Sequence, residues 1–214
     1  MLAVVLAAVT LSGCSTVVDG APTWPGATLE KVLLTAQDFP DGVRYDRITE
    51  EPGQPDGAGG PPSMLSKPEG CSNGLTDVIA ESAERGPGSA AKYAVAYDGA
   101  RMVMTVLSWQ LDLEKLAATA ARCETFDTYF DPTSPGIPIV TIKLPSGDDE
   151  LVYQQTMTIG TQENSIYMSF ANVGSMGVFG IALPSENPTI PVKGSLPQTF
   201  LDIATKQADR IRSS

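Results

Sequence analysis

The chain has 214 residues, 14 Lys and Arg against 25 Asp and Glu, three cysteines and no histidine, for a net charge of −11. That length suits one domain with a sizeable core, and 42% hydrophobic with 18% charged residues describes a globular chain. Without histidine there is no Ser-His-Asp or Cys-His nucleophile and almost no imidazole zinc site. The acidic balance argues against a basic patch that grips nucleic acid or anionic lipid.

Residues 1–13 (MLAVVLAAVTLSG) are uncharged and apolar up to Thr10. A membrane span needs about 20 such residues, so this shorter run fits the h-region of a secretory signal. Leu11-Ser12-Gly13-Cys14 resembles the lipobox of bacterial lipoproteins. The resemblance implies cleavage before Cys14, a thioether-linked diacylglycerol on its sulfur, and anchorage to the extracytoplasmic face of the cell membrane. A buried helix that contains a cysteine is the alternative. Nothing basic precedes Lys31, as expected if the true start codon lies upstream of Met1.

With Cys14 taken by lipid, Cys71 and Cys123 remain in an oxidising compartment, where one bridge between them is expected. Two free thiols are the alternative. No CxxC occurs, so a disulfide oxidoreductase is not indicated.

Residues 15–28 (STVVDGAPTWPGAT) are small and polar, as in a tether, and the domain is expected over 29–214. Leu29 to Ala36 reads as a short helix with Thr28 as a possible cap, and Val43 to Thr49 as a strand. Glu51 to Pro68, dense in Gly and Pro, reads as a long loop. Leu75, Val78, Ile79 and Ala83 mark a helix up to Arg85, with Gly86 placed to end it. Strands are expected over Ala90–Tyr97 and Met102–Trp109, joined around Asp98-Gly99.

Asp112 is placed to cap a helix over Leu113–Arg122, with Cys123 at its end. Five more strands follow, over Thr125–Phe130, Ile137–Leu144, Leu151–Thr161, Ser165–Asn172 and Gly177–Leu183. Ser195 and Gln198 form a capping-box pattern before a terminal helix with apolar Leu196, Phe200, Ile203, Ala204 and Ile211. The expected class is α+β: a single domain in which an antiparallel sheet carries helices mainly on one face.

Catalytic motifs are scarce. Ser175 stands in Val173-Gly174-Ser175-Met176-Gly177, one residue out of a nucleophile elbow, and reads as a turn. Gly86-Pro87-Gly88 puts proline where a phosphate loop needs amides. Asp148, Asp149 and Glu150 lack the spacing of a calcium loop, and Asp127 and Asp131 are only a formal glycosidase pair. No catalytic residue, metal or cofactor is expected.

A binding surface is better supported. Leu151, Tyr153, Met157 and Ile159 alternate with Gln154, Thr156 and Thr158, while Ile166, Met168 and Phe170 alternate with Tyr167, Ser169 and Ala171. One sheet face is then core, and Gln154, Thr156, Thr158, Tyr167 and Ser169 are the candidate ligand-binding residues on the other. An ordinary solvated face is the alternative. Met102, Met104 and Val106 alternate with Val103, Thr105 and Leu107, so that strand is apolar on both faces. Its methionines fill core or line an apolar cavity.

The lipobox, the Pro/Gly-rich stretch, Pro68-Glu69-Gly70-Cys71 before a helix, a hairpin, and Leu113-Glu114-Lys115-Leu116 running to Arg122-Cys123 before a strand together resemble mycobacterial lipoproteins of unknown function. More distantly the layout is similar to the PknH-type extracellular sensor domain. The leading reading is a lipid-anchored binding or sensor-like domain of the cell envelope, with membrane contact through Cys14; a monomer is expected, and the acidic balance leaves no nucleic-acid partner. A carrier of an envelope lipid or glycolipid is the second reading, and an envelope-polymer hydrolase the third.

Overall fold

The computed structural model describes residues 25–49, 64–82 and 88–214. The signal-like run, Cys14, residues 15–24 of the tether, residues 51–63 of the long loop and the expected helix end at Arg85-Gly86 lie outside the described residues. Helix α1 (Pro25–Val32) is followed by a 3-10 turn at Ala36–Asp38 and strand β1 (Arg44–Ile48). Strand β2 (Leu65–Lys67) and helix α2 (Gly74–Ser82) lead to the hairpin β3 (Ala90–Tyr97) and β4 (Gly99–Leu107). Helix α3 (Leu113–Arg122) precedes β5 (Thr125–Tyr129), β6 (Ile137–Leu144), β7 (Glu150–Ile159), β8 (Gln162–Val173) and β9 (Met176–Ser185), and α4 (Gln198–Arg212) closes the chain.

The nine strands of the described residues form one antiparallel sheet in the order β1-β3-β4-β9-β8-β7-β6-β5-β2. The α+β class and single sheet are as expected. The helices, however, divide between its faces. Helices α1 and α4 pack with Met102, Met104, Val106, Val178 and Ala182 on one side. Helices α2 and α3 pack with Leu107, Leu151, Met168, Phe170 and Phe179 on the other. The cause is in β8 and β9, where alternate residues on both faces are apolar, so each face demands a cover.

Four local expectations need correction. Helix α1 begins inside the expected tether, because proline is tolerated in a first turn whose N–H groups have no intrahelical partner. It also ends four residues early: the Asp38 carboxylate accepts from the Thr35 N–H at 2.7 Å and its hydroxyl at 3.0 Å, which favours a tight turn over a longer helix. The expected loop contains β2, held by its pairing with β5 from Leu65↔Tyr129 to Lys67↔Asp127. At α4 the Ser195–Gln198 box is replaced: the helix starts at Gln198, and the Ser195 N–H donates to the Thr199 hydroxyl at 2.9 Å.

Two-residue hairpin turns occur at Gly160-Thr161 and Gly174-Ser175, each with its glycine at positive φ. Ser175 is therefore a turn residue. Gly180 has a different role. A Cβ there would lie 2.7 Å from Met104 Sδ and 2.8 Å from the Phe200 ring, so glycine lets α4 settle onto the sheet.

Cys71 and Cys123 are joined by a disulfide, Cα to Cα 5.5 Å, which ties the segment before α2 to the end of α3. On the α1 side, Phe39, Tyr45 and Tyr93 form an aromatic cluster with centroids 5.6–6.1 Å apart. The Tyr45 hydroxyl donates to the Leu34 carbonyl, whereas that of Tyr93 is buried with no partner among the described residues. Burial pushes the Tyr93 phenol well above its usual range. Because an unpaired buried hydroxyl costs desolvation without return, Tyr93→Phe is expected to stabilise the protein by about 1 kcal/mol. Thermal unfolding checks this, and a loss of stability would contradict it.

Candidate functional site

The chain turns from β6 to β7 through Pro145–Asp149. Ser146 Oγ donates to the Glu150 carbonyl at 2.8 Å, and the Asn172 N–H donates to the Asp149 carbonyl at 3.2 Å. These bonds hold Asp148, Asp149 and Glu150 as one wall of a cleft of about 540 Å³. The second half of α4 supplies the opposite wall with Ala204, Thr205, Ala208 and Arg212. The floor is Ser169, Ala171, Val173 and Val178 of β8 and β9. The cleft exists because α4 places alanines at 204 and 208, one turn apart on the side facing the sheet.

Its charges are unevenly matched. Glu150 is half-buried, and burial raises its carboxyl above the usual carboxylate range, against the opposing pull of the Gly147 N–H and Arg212. The Arg212 guanidinium is engaged by Asp209 at 2.7 Å. Ser169 is only 2% exposed and lies on the floor of the cleft. Asn172 is not free for a ligand: its amide accepts from the Leu111 N–H at 2.7 Å and donates to the Leu111 carbonyl at 2.9 Å.

The residues singled out from strand alternation do share a face, but α4 covers part of it. Tyr167 and Ser169 are buried against that helix, and only Ser169 reaches the cleft. Gln154, Thr156 and Thr158 stay half-buried beyond it. There Gln154 donates to Ser165 Oγ at 2.9 Å and Thr156 Oγ1 at 3.2 Å, and the two hydroxyls lie 2.9 Å apart. This strip is hydrogen-bonded to itself, which leaves less for a ligand than an open polar face would. Sequence reasoning missed the α4 wall. Its one signal was the alanine pair at 204 and 208, which reads equally as core.

Other candidate groups are held in structural roles. Asp127 pairs in register with Lys67 and Pro138, while Asp131 accepts from the Thr133 hydroxyl, which with the Thr133 N–H holds its carboxyl below the usual range. Among the described residues no group of three or more Cys, Asp or Glu side chains is arranged to hold a metal ion. Met102, Met104 and Val106 are fully buried in the α4-side core. No described helix is long and apolar enough to cross a membrane.

No family model matches the chain, and no curated protein matches it. Among solved structures it is similar to the extracellular domain of PknH from Mycobacterium tuberculosis, with 11% identity and a TM-score of 0.55 over 88% of this chain and 97% of that one. It also matches an uncharacterized protein of Mycobacterium smegmatis, the Rv0999 ortholog, with 15% identity and a TM-score of 0.49 over 88% and 95% of the two chains. The resemblance to the PknH extracellular domain is thus present at the level of fold.

Proposed function

We propose that this chain is a lipid-anchored, extracytoplasmic binding domain of sensor type, which takes a small ligand in the cleft between α4 and the β6–β7 turn. The observation that carries the reading is that cleft, about 540 Å³ in volume, open at the surface and walled by a helix on one side and a turn on the other. A fold shared with an extracellular domain supports the extracytoplasmic setting, and the Leu11–Cys14 lipobox supports the anchor. The carrier reading loses support from Met102 and Met104, which are packed solid on the strand that would line an acyl cavity.

Two measurements test the proposal. Cys14→Ala is expected to move the protein from the membrane fraction to the soluble one, and unchanged retention would remove the anchor. Native mass spectrometry of the protein from its own envelope is expected to find a small polar adduct or none. A bound lipid would favour the carrier.

A further inference from the structure

We propose that the Cys71–Cys123 bridge is a redox latch on the outer edge of the sheet. Its reduction releases β2 and the segment from Met64 to Ser72 from β5, while the rest of the domain stays folded.

Little besides the bridge holds that segment. Strand β2 pairs with β5 through three residues, Leu65 to Lys67. The Thr128 hydroxyl donates to the Leu65 carbonyl at 3.1 Å, Arg122 donates to the Glu69 carbonyl, and the Lys67 ammonium stands 5.6 Å from the centre of the Tyr129 ring. Other bonds close within the segment: Ser66 Oγ accepts from the Cys71 N–H at 2.9 Å, and Ser72 Oγ donates to the Met64 carbonyl at 2.6 Å. Leu65, Lys67, Pro68, Glu69 and Gly70 are exposed, and only Cys71 is buried. Ordering the segment costs more than a few exposed hydrogen bonds return, so the covalent tie decides its place.

The neighbours on either side are anchored without it. Helix α2 buries Leu75, Val78 and Ile79, and α3 buries Leu116 and Ala120, all in the core on that face. Strand β5 keeps β6, against which Phe126 packs through Ile139. Release is therefore confined to the edge.

Two things change there. A pocket of about 600 Å³ between the segment and Tyr129 and Pro132 is lost. Strand β5 also becomes the edge of the sheet. The Thr141 N–H donates to the Glu124 carbonyl, and Pro138, which has no N–H, stands opposite Asp127. By that alternation Phe126 and Thr128 turn their backbone groups to β6, and Asp127 and Tyr129 turn theirs to β2. The chemistry is thiol–disulfide exchange with a dithiol. One thiolate attacks a bridge sulfur, and the second thiol resolves the mixed disulfide. The two cysteines gain two electrons and two protons, and the dithiol leaves as its own disulfide.

The test is amide hydrogen exchange, read residue by residue by NMR on the full chain before and after dithiothreitol. In the reduced protein Leu65, Lys67, Asp127 and Tyr129 are expected to exchange within about tenfold of the unfolded-chain rate. Phe126, Thr128 and the amides of β8 should remain protected by at least about 1,000-fold. The Cys71→Ala/Cys123→Ala protein should show the released pattern without reductant, and oxidised dithiothreitol should restore protection to the reduced wild type. Continued protection of Leu65 and Lys67 after reduction would overturn the latch. Equal loss at Phe126, Thr128 and β8 would also overturn it, because the bridge would then hold the domain as a whole. So would a release that reoxidation does not reverse.

Discussion

Replacing Cys71 and Cys123 together by alanine is expected to lower the stability of the domain by roughly 4 kcal/mol, the chain-entropy value for a loop of this span. The two cysteines are 52 residues apart in sequence, and the loop they close contains α2, the β3–β4 hairpin and α3. Their sulfurs also fill space. Cys71 and Cys123 are each 2% exposed in a small separate cluster with Phe126, against which Ile139 packs. That cluster stands at the weak end of the sheet, where β2 contributes only three paired residues. The Arg122 guanidinium adds one further tie, donating to the Glu69 carbonyl at 3.0 Å. For a chain of this size the loss corresponds to a melting temperature lower by about 10 °C. Wild-type protein treated with a thiol reductant should melt with the double variant, and a shift of less than about 2 °C in both would show that the bridge contributes little.

Strand alternation and helix caps carry most of what the sequence discloses about this fold. The strand expected over Ala90–Tyr97, the strand over Ile137–Leu144 and the helix over Leu113–Arg122 have the same limits in the structure. Each has a decisive local signal. Helix α3 has Asp112, whose carboxylate accepts from the Lys115 N–H at 2.9 Å, and a narrow apolar stripe ending in buried Leu116 and Ala120. The features that escaped depend on partners distant in sequence. Strand β2 is three residues of unremarkable composition, and only β5 makes it a strand. Likewise, nothing within Ser165–Asn172 says that its Tyr167 and Ser169 side will lie beneath a helix some 30 residues downstream. Strand β9 inserts between β4 and β8 and carries Gly180, which brings α4 onto this side. The polar residues chosen from alternation were on one face, but the covering helix decided which of them reach a cleft. The cleft itself is the gap between that helix and a turn, so no single segment encodes it.

The other large effect expected is at Gln207. Its side chain is completely buried, an unusual state for an uncharged amide on an amphipathic helix. The amide oxygen accepts from the Leu34 N–H at 3.2 Å, and the amide nitrogen donates to the Val32 carbonyl at 2.8 Å. Both partners lie where α1 stops and the chain leaves for the 3-10 turn, a place where backbone groups lose their helical partners. Gln207 therefore closes the end of α1 from 173 and 175 residues away in sequence. The same junction is held at its rim by Asp38, which pairs with Arg210 of α4 and whose carbonyl accepts from Lys206. Gln207→Leu keeps the volume but leaves a buried N–H and a buried C=O unpaired, at a cost of about 3 kcal/mol for the two groups. Gln207→Glu keeps the acceptor, loses the donor and buries a carboxyl, so its loss should be larger above the carboxylate pKa and should shrink as the pH falls and the group is protonated. Denaturant unfolding measures both. Hydrogen exchange separates a local cause from a general one: Leu33, whose N–H bonds to the Leu29 carbonyl at 3.2 Å, should exchange faster in Gln207→Leu, with β7 and β8 little changed. A variant as stable as wild type would mean that the junction finds its partners elsewhere, and that α1 is held by Leu29, Val32 and Leu33 in the core alone.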